Sequence, residues 1–561
     1  MNKILTICVF CALILVTVSP LAGAVKFDYS KPFPIALLDY PNDGGQLNPW
    51  LLDIVNIQVN HDSTSQLQNE EMVAINPTNT DDAVAVWRDF RLGYRRIGAG
   101  YTMDAGQTWH DTLMVIPPYP WQSDPVLAVD TSGNYFACFI CLNTQTTRSG
   151  IYVEKSTNNG VTWSAPVTGV DSAAGAFEDK EMMIINKNPG ANYGDVHIAW
   201  TRFTNFQQVT HIMMVTSTDG GQSYNDAVEV SSMDGVQWPV PAVGSNDDVY
   251  VAWFGYFPGG IYFTASHDHG QSFDTEQQIE TLSASSENIN GNILVFPFPA
   301  LTTDINPSSP NLGNLYIAFM DRNSTDMDIF FIRSQDGGQS WSDRIRLNDD
   351  TIHNGADQFH PWLSVDNSGV IHAIFYDRRL DVGRNMLFDL YYTSSTDGGL
   401  TWSPNERITT VSSDPRQAAC AGLIGEYIGL SAWNDQVQMV WTDTRNGNQD
   451  VFSGRMSPTG IAEGSAKLPT DIKLENPYPN PFNGAVQLSF YSPKVADAKA
   501  DVIDILGRKV VSIFDGFCQK GINRITWNGI DASGQDVGSG IYFVRLSSGG
   551  VSQVKKAVML R

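Results

Sequence analysis

Cysteine is scarce in this chain: six residues in 561, of which Cys8 and Cys11 fall in an apolar N-terminal run. The other four, Cys138, Cys141, Cys420 and Cys518, are too few to staple a chain of this length, which argues against a disulfide scaffold. Cys138 and Cys141 form a CxxC inside the apolar run Tyr135 to Cys141, where strand alternation sends positions three apart to opposite faces. No second ligand pair accompanies them, so they read as two buried thiols, not a zinc or redox site. Basic residues are also in deficit. Lys and Arg total 35 against 60 Asp and Glu, a net charge of −25, and no basic block could neutralise a run of phosphates, so no nucleic acid partner is expected. EF-hand, HExxH, phosphate-loop, dinucleotide and GxSxG motifs are all missing, which leaves cofactor chemistry without support.

The single long apolar run is Ile4 to Val18, preceded by Lys3 and followed by Pro20 and the small residues Ala22-Gly23-Ala24. That is the layout of a cleaved secretory signal over residues 1–24, after which no transmembrane span is left. The mature chain then carries one eight-residue pattern six times, Ser/Thr-x-Asp-x-Gly-x-Ser/Thr-aromatic. Its acidic positions are Asp104, Asn158, Asp219, Asp268, Asp336 and Asp397, with Asn once in place of Asp. A short carboxylate or amide that accepts backbone N–H groups, a glycine free to take positive φ, and flanking hydroxyls together specify a tight turn. Two strand signals precede each copy, the upstream one ending in Ala83 to Trp87, Tyr135 to Ile140, Val196 to Trp200, Val249 to Trp253, Leu315 to Phe319 and Ile371 to Phe375, and recurring a seventh time as Val437 to Trp441. The seventh unit has three strands and no turn motif. Asp53 to Val59 has the alternation of an outer strand and could complete it, closing a ring without free edges.

These turns resemble the Asp-box, or BNR, repeat of sialidase-like β-propellers. The resemblance implies an all-β propeller over residues 25–460, with the boxes structural and remote from the functional face. The strand count favours seven blades; the six boxes would suggest six. Box residues His267 and His269 are therefore architectural, despite a spacing that would suit a metal.

After Gly460 comes a small and polar linker, 461–471. The segment 472–561 then alternates apolar and polar residues between Gly and Asn turns, reading as a β-sandwich of about seven strands, Ig-like in pattern. Tyr478-Pro-Asn-Pro-Phe482-Asn483, Val502-Ile-Asp504-Ile-Leu-Gly507-Arg508, Trp527-Asn-Gly529 and Gly538-Ser-Gly540-Ile-Tyr542-Phe543 resemble a type IX secretion C-terminal sorting domain. This implies the type IX machinery as a partner, and a secreted or outer-surface location on a Gram-negative cell.

Chemistry in a propeller is expected where the leading ends of the innermost strands converge on the axis. Glu178, Asp179 and Glu426 are the catalytic candidates there; Glu70, Asp124, Lys180, Trp238, His360 and Tyr427 are candidates for ligand binding. The resemblance to sialidases implies three arginines clamping a carboxylate, a Tyr nucleophile with its Glu, and an Asp acid/base. The place of the first arginine is taken by Asn69-Glu70-Glu71-Met72, and adjacent Glu426 and Tyr427 face opposite ways in a strand. A binding protein for an extracellular glycan or surface protein is therefore favoured over a glycoside hydrolase, with a structural or adhesive role as a further alternative. Four units also carry Asp-Arg pairs after the second strand: Asp89 with Arg91, Asp321-Arg322, Asp377-Arg378-Arg379, and Asp443 with Arg445. Repetition suggests braces. Calcium is the one metal such acidic loops would suit, and the metal content is otherwise open.

Overall fold

The structure is a computed structural model. It describes residues 54–457 save 115–120, 144–147, 172–175, 205–208, 324 and 418–423, and residues 473–560 save 475–476, 478–481, 485, 493, 519–520 and 549–550. The signal segment, the linker and Cys420 lie outside the described residues.

From Gln68 onward the chain forms four-stranded antiparallel sheets in sequence, each a meander from an inner to an outer strand. Seven such sheets are described before Ser457, and we number them 1 to 7 in chain order. Their innermost strands are Gln68–Ile75, Trp121–Val129, Phe177–Ile185, Val236–Val243, Ala300–Thr303, Gln358–Val365 and Gly429–Trp433. Each touches the next, and the last touches the first, so the sheets form a closed ring. Sheet 7 is built from Gly429–Trp433, Gln436–Asp443 and Asp450–Met456, and its fourth strand is Ile57–Gln58 from the far end of the propeller sequence. Ile57 pairs with Ser453 and Gln58 with Phe452, so the N-terminal strand closes the ring as its alternation predicts, over two residues. Asn60 reinforces the latch: its amide donates to Gln68 Oε1 and Asp450 Oδ1, and its carbonyl oxygen accepts the Val451 N–H at 2.8 Å.

Face-to-face stacking of sheets explains the sequence pattern. Inner and second strands are covered on both faces, so Gln68–Ile75 and Ala83–Asp89 are buried throughout, while the outer His110–Leu113 is not. Trp87, Trp200, Trp253 and Trp441 recur at one position of the second strand, all fully buried. In sheet 1 the third strand makes room with Gly98, where an added Cβ would sit 2.4 Å from the Trp87 indole. That contact accounts for the glycines that blur this strand in the sequence. Cys138 and Cys141 are both buried in Tyr135–Asn143 as free thiols. One hairpin, Glu287–Ile289 with Ile293–Val295, is inserted between sheets 4 and 5.

The six boxes turn the third strand into the fourth. In each, the first hydroxyl accepts the N–H of the box glycine at 2.8–3.0 Å, and the Asp or Asn oxygen accepts the N–H of the second Ser/Thr at 2.9–3.0 Å. The box glycines have φ between +77° and +89°, the left-handed region that only glycine occupies freely. The terminal aromatics pack inward: Trp341 meets Phe263, and Trp402 meets Phe331, edge to face.

The C-terminal segment forms a three-stranded sheet (Lys473–Leu474, Val486–Ser492, Gly521–Trp527) and a four-stranded sheet (Lys509–Cys518, Ala496–Asp504, Gly540–Ser548, Val551–Met559). Leu474, Leu488, Phe490 and Trp527 of the first share a core with Ala500, Val502, Val544 and Leu546 of the second. This is the seven-stranded sandwich that the alternation predicts.

Candidate functional site

The leading ends of the innermost strands do not follow simple alternation. The register with the second strand slips between Asn69 and Met72, Ser123 and Val126, Asp179 and Met182, Gln237 and Val240, and Phe359 and Trp362. Within each slip one residue takes positive φ: Glu70 (59°), Asp124 (55°), Lys180 (54°), Trp238 (66°) and His360 (50°). A left-handed non-glycine residue costs about 1–3 kcal/mol, and a bulge re-aims the side chain it contains. Five sheets repeat the device at one place. Sheet 7 uses Gly425 at φ 43° just before Glu426, and sheet 5 contributes the buried Phe298.

The side chains so aimed meet across the axis. Lys180 Nζ bonds the Glu426 carboxylate and lies 3.1 Å from Asp124 Oδ2 and 3.7 Å from Glu70 Oε1. The same ammonium sits 4.6 Å from the centroid of the Trp238 ring. Trp238 stacks on Phe298 at 5.1 Å, and Phe298 on His360 at 6.1 Å. One half of the ring is therefore charged and the other aromatic. Glu70 is further held by Arg88, whose Nη1 is 2.7 Å from Oε1 and whose Nε donates to Asn69 Oδ1. Exposure is slight: Glu70 0 %, Asp124 3 %, Glu426 5 % and Lys180 7 %. Asp179, half-buried, is the acid nearest solvent; it accepts from Gln237 Nε2 at 3.1 Å, and Gln237 Oε1 accepts from the Tyr256 hydroxyl at 2.9 Å.

Burial and neighbouring charge divide these carboxyl groups. Burial would lower the Lys180 ammonium, yet Asp124, Glu426 and Glu70 hold it well above the ordinary lysine value. In return, the burial that would raise Asp124 and Glu426 is outweighed by Lys180, and both stay below the usual carboxylate range. Glu70 is pushed well up by burial, with Arg88 only partly opposing. Asp179 is raised to about 7 by burial and then by Asp124. Behind the ring, burial raises Glu71 to about 8 against the hydrogen bond from Thr442 Oγ1, and raises Glu181, beside Asp124, well above the ordinary value. His360 is lowered by burial to about 4, so its ring is neutral at pH 7.

Of the sequence candidates, the structure brings together Glu70, Asp124, Lys180, Trp238, His360 and Glu426, with Asp179 at the solvent side. Glu178 is elsewhere. Its carboxylate takes a two-pronged bond from Arg202 at 2.8–3.1 Å and the Trp200 indole N–H at 2.5 Å, within its own sheet. Tyr427 is buried and donates to the Pro125 carbonyl at 3.1 Å, a brace from sheet 7 to sheet 2. Gln237, beside Trp238 at its strand entry, completes the site with Arg88 and Tyr256, and these last two escaped the sequence reading. Both lie on second strands, and no motif marks them.

Three of the four Asp-Arg repeats are braces, whereas in the fourth Arg322 turns to Glu287 and leaves Asp321 to another arginine. Arg91 grips Asp89, which also accepts the Trp87 indole N–H; Arg445 grips Asp443, which accepts from Trp441; Arg379 bonds Asp377, and Arg344 bonds Asp321. Among the described residues no group of three or more His, Cys, Asp or Glu side chains is arranged to hold a metal.

Residues 476–560 match the secretion system C-terminal sorting domain family. The chain is a closed β-propeller of four-stranded sheets followed by a type IX sorting domain. No curated protein matches it. Among solved structures it is similar to a protein of unknown function from Dyadobacter fermentans (12% identity, 71% of this chain and 97% of that one, TM-score 0.41). It is similar too to the Hadza microbial sialidase Hz136 (13%, 70% and 66%, TM-score 0.43), and to the GH93 α-L-arabinofuranosidase of Fusarium graminearum (11%, 73% and 99%, TM-score 0.43). The sorting domain supports export by type IX secretion, to the cell surface or the medium. No helix among the described residues is long and apolar enough to cross a membrane.

Proposed function

We propose that this protein is an exported propeller that binds an extracellular glycan or surface protein at the axial mouth, on the outer surface of a Gram-negative cell or released from it. One observation carries the reading: the cations at the axis are already committed. Lys180 is held by Glu426, Asp124 and Glu70, and Arg88 by Glu70 and Asn69. An acidic sugar would find carboxylates and no guanidinium clamp, whereas a neutral, hydroxyl-rich ligand or a basic protein surface would meet the half-buried Asp179, Tyr256 and Phe296 at the mouth.

A hydrolytic reading draws on a different observation. Asp179 is raised to about 7 while Glu426 is held low, a division that suits a proton donor beside an ionised carboxylate. Reducing-sugar release and pull-down by the purified mature protein on a panel of sialosides and plant and marine polysaccharides separate the two. Binding without release is expected. Release that disappears in both Asp179→Asn and Glu426→Gln would replace the binding reading with the hydrolytic one.

A further inference from the structure

The strand starts that form the axial mouth lie at one end of each sheet, and the boxes lie at the other, since a box joins the third strand to the fourth. On the box side, between sheets 4 and 5, there is a cleft of about 730 Å³. Its origin is visible by comparison with the next interface. In sheet 5 the loop 304–314 is long and brings Asn311 over the sixth box, where an added Cβ on Gly398 would meet the Asn311 amide at 2.5 Å. Arg333, just before the fifth box, donates to the Gly398 carbonyl at 2.9 Å and fills the rest. In sheet 4 the corresponding turn is only 244–248, and Ala265 stands where sheet 5 has Arg333. The equivalent glycine, Gly337, meets nothing but the Tyr250 hydroxyl at 3.5 Å. A short turn and one small side chain thus leave open a space that the neighbouring interface fills.

The walls of that space are polar and of mixed character. Asn246, Gln277 and Gln339 supply amides, and Asp248 and Asp274 supply carboxylates. His267 spans the two acids, with Nδ1 2.9 Å from Asp248 and Nε2 3.3 Å from Asp274. Gln277 Nε2 donates to the Gly338 carbonyl on the floor. Amide and carboxylate groups together over this volume can exchange hydrogen bonds with a chain of hydroxyl groups, and ligand clefts are commonly about 300–1,000 Å³. The two carboxylates disfavour an anionic sugar. We infer that this cleft is a second ligand site, specific for neutral oligosaccharides and separate from the axial mouth.

The test is calorimetric titration of the mature protein with cellotriose, xylotriose and chitotriose, and with 3′-sialyllactose as the anionic probe. It is run in wild type and in an Asp179→Asn background that perturbs the axial mouth. At least one neutral trisaccharide binds there and sialyllactose does not. Adding Thr275→Trp, which fills the cleft from an exposed position, or Asn246→Ala weakens that binding tenfold or more, while circular dichroism stays unchanged. Failure of every neutral trisaccharide to bind in this background overturns the inference, as does equal binding with Thr275→Trp and Asn246→Ala. Binding present in the wild type and lost in Asp179→Asn alone would also overturn it and assign the ligand to the axial mouth.

Discussion

Replacing Lys180 by Met would test whether the axial ring is an electrostatic unit. Met keeps most of the stem and its packing on Trp238 while removing the ammonium. At an effective dielectric of about 20, attraction across the 3.1 Å separation from Asp124 is gross about 5 kcal/mol, and Glu426 and Glu70 add to it. Desolvation of the ammonium offsets much of that, and loss of one partner from a buried pair costs about 3–5 kcal/mol in practice. The expected loss for Lys180→Met is in that range, and a second change, Glu426→Gln, should restore part of it. The pH dependence has a defined sign. Asp124 and Glu426 are depressed in the folded protein by Lys180, so their contribution is present above the ordinary carboxylate value of about 4 and lost as pH falls through the depressed folded values. In the variant that contribution is gone. Urea unfolding followed by tryptophan fluorescence should therefore show a full gap between wild type and variant at pH 7, narrowing as the pH is lowered below about 4. A gap under about 1 kcal/mol, typical of an exposed pair, would refute the caged-ammonium account. So would a gap that does not narrow in acid.

Gly338→Ala should destabilise the fifth box by about 3–5 kcal/mol, because φ is +89° and the new Cβ would sit 2.2 Å from Phe263; Gly355→Ala, with φ +83° and open space, should cost only about 1–3 kcal/mol, and thermal midpoints would rank the two. Glu154 is buried without a hydrogen-bond partner and burial raises it to about 8, so its stabilising protonated form is complete below about 4.5 and lost as pH rises towards 8. Glu154→Gln should thus be more stable than wild type at pH 8 and equal to it at pH 4, as read by urea midpoints. Cys138 and Cys141 are buried, and burial followed by Glu181 pushes both thiols well above their ordinary value. Peptide mapping after iodoacetamide should find both unmodified in the native protein and alkylated in urea; native alkylation would contradict the packing.

Much of the fold is legible in the sequence because its determinants are local. A box needs only an acceptor, a glycine and two hydroxyls within eight residues, and all of these act on neighbouring backbone. The recurring second strand is equally plain, since being covered on both faces makes it a continuous apolar run ending in Trp87, Trp200, Trp253 or Trp441. Closure through Ile57–Gln58 follows from counting: three strands at one end of the propeller and an unclaimed one at the other. The inserted hairpin at Glu287–Val295 has no such signal. It is held by distant partners, with Arg322 on Glu287 and Arg378 on the Asn290 carbonyl, and such contacts have no spacing to read.

At the axis the sequence identifies most of the side chains that face the centre, and it misplaces Glu178. Alternation along Glu178-Asp179-Lys180-Glu181 would put Glu178 and Lys180 on one face. The bulge breaks that rule: Glu178 stays in the ladder opposite Arg202, and Lys180 swings in at φ 54° to meet acids from sheets 1, 2 and 7. The five bulges, together with Phe298 of sheet 5 and Glu426 of sheet 7, place three acids, one lysine and three rings around the axis, so the ammonium satisfies the acids and stacks on the first ring. A sheet-by-sheet reading cannot find that balance. The electrostatics belong to the ring, and a change at any one bulge is therefore expected to be felt by residues hundreds of positions away in the chain.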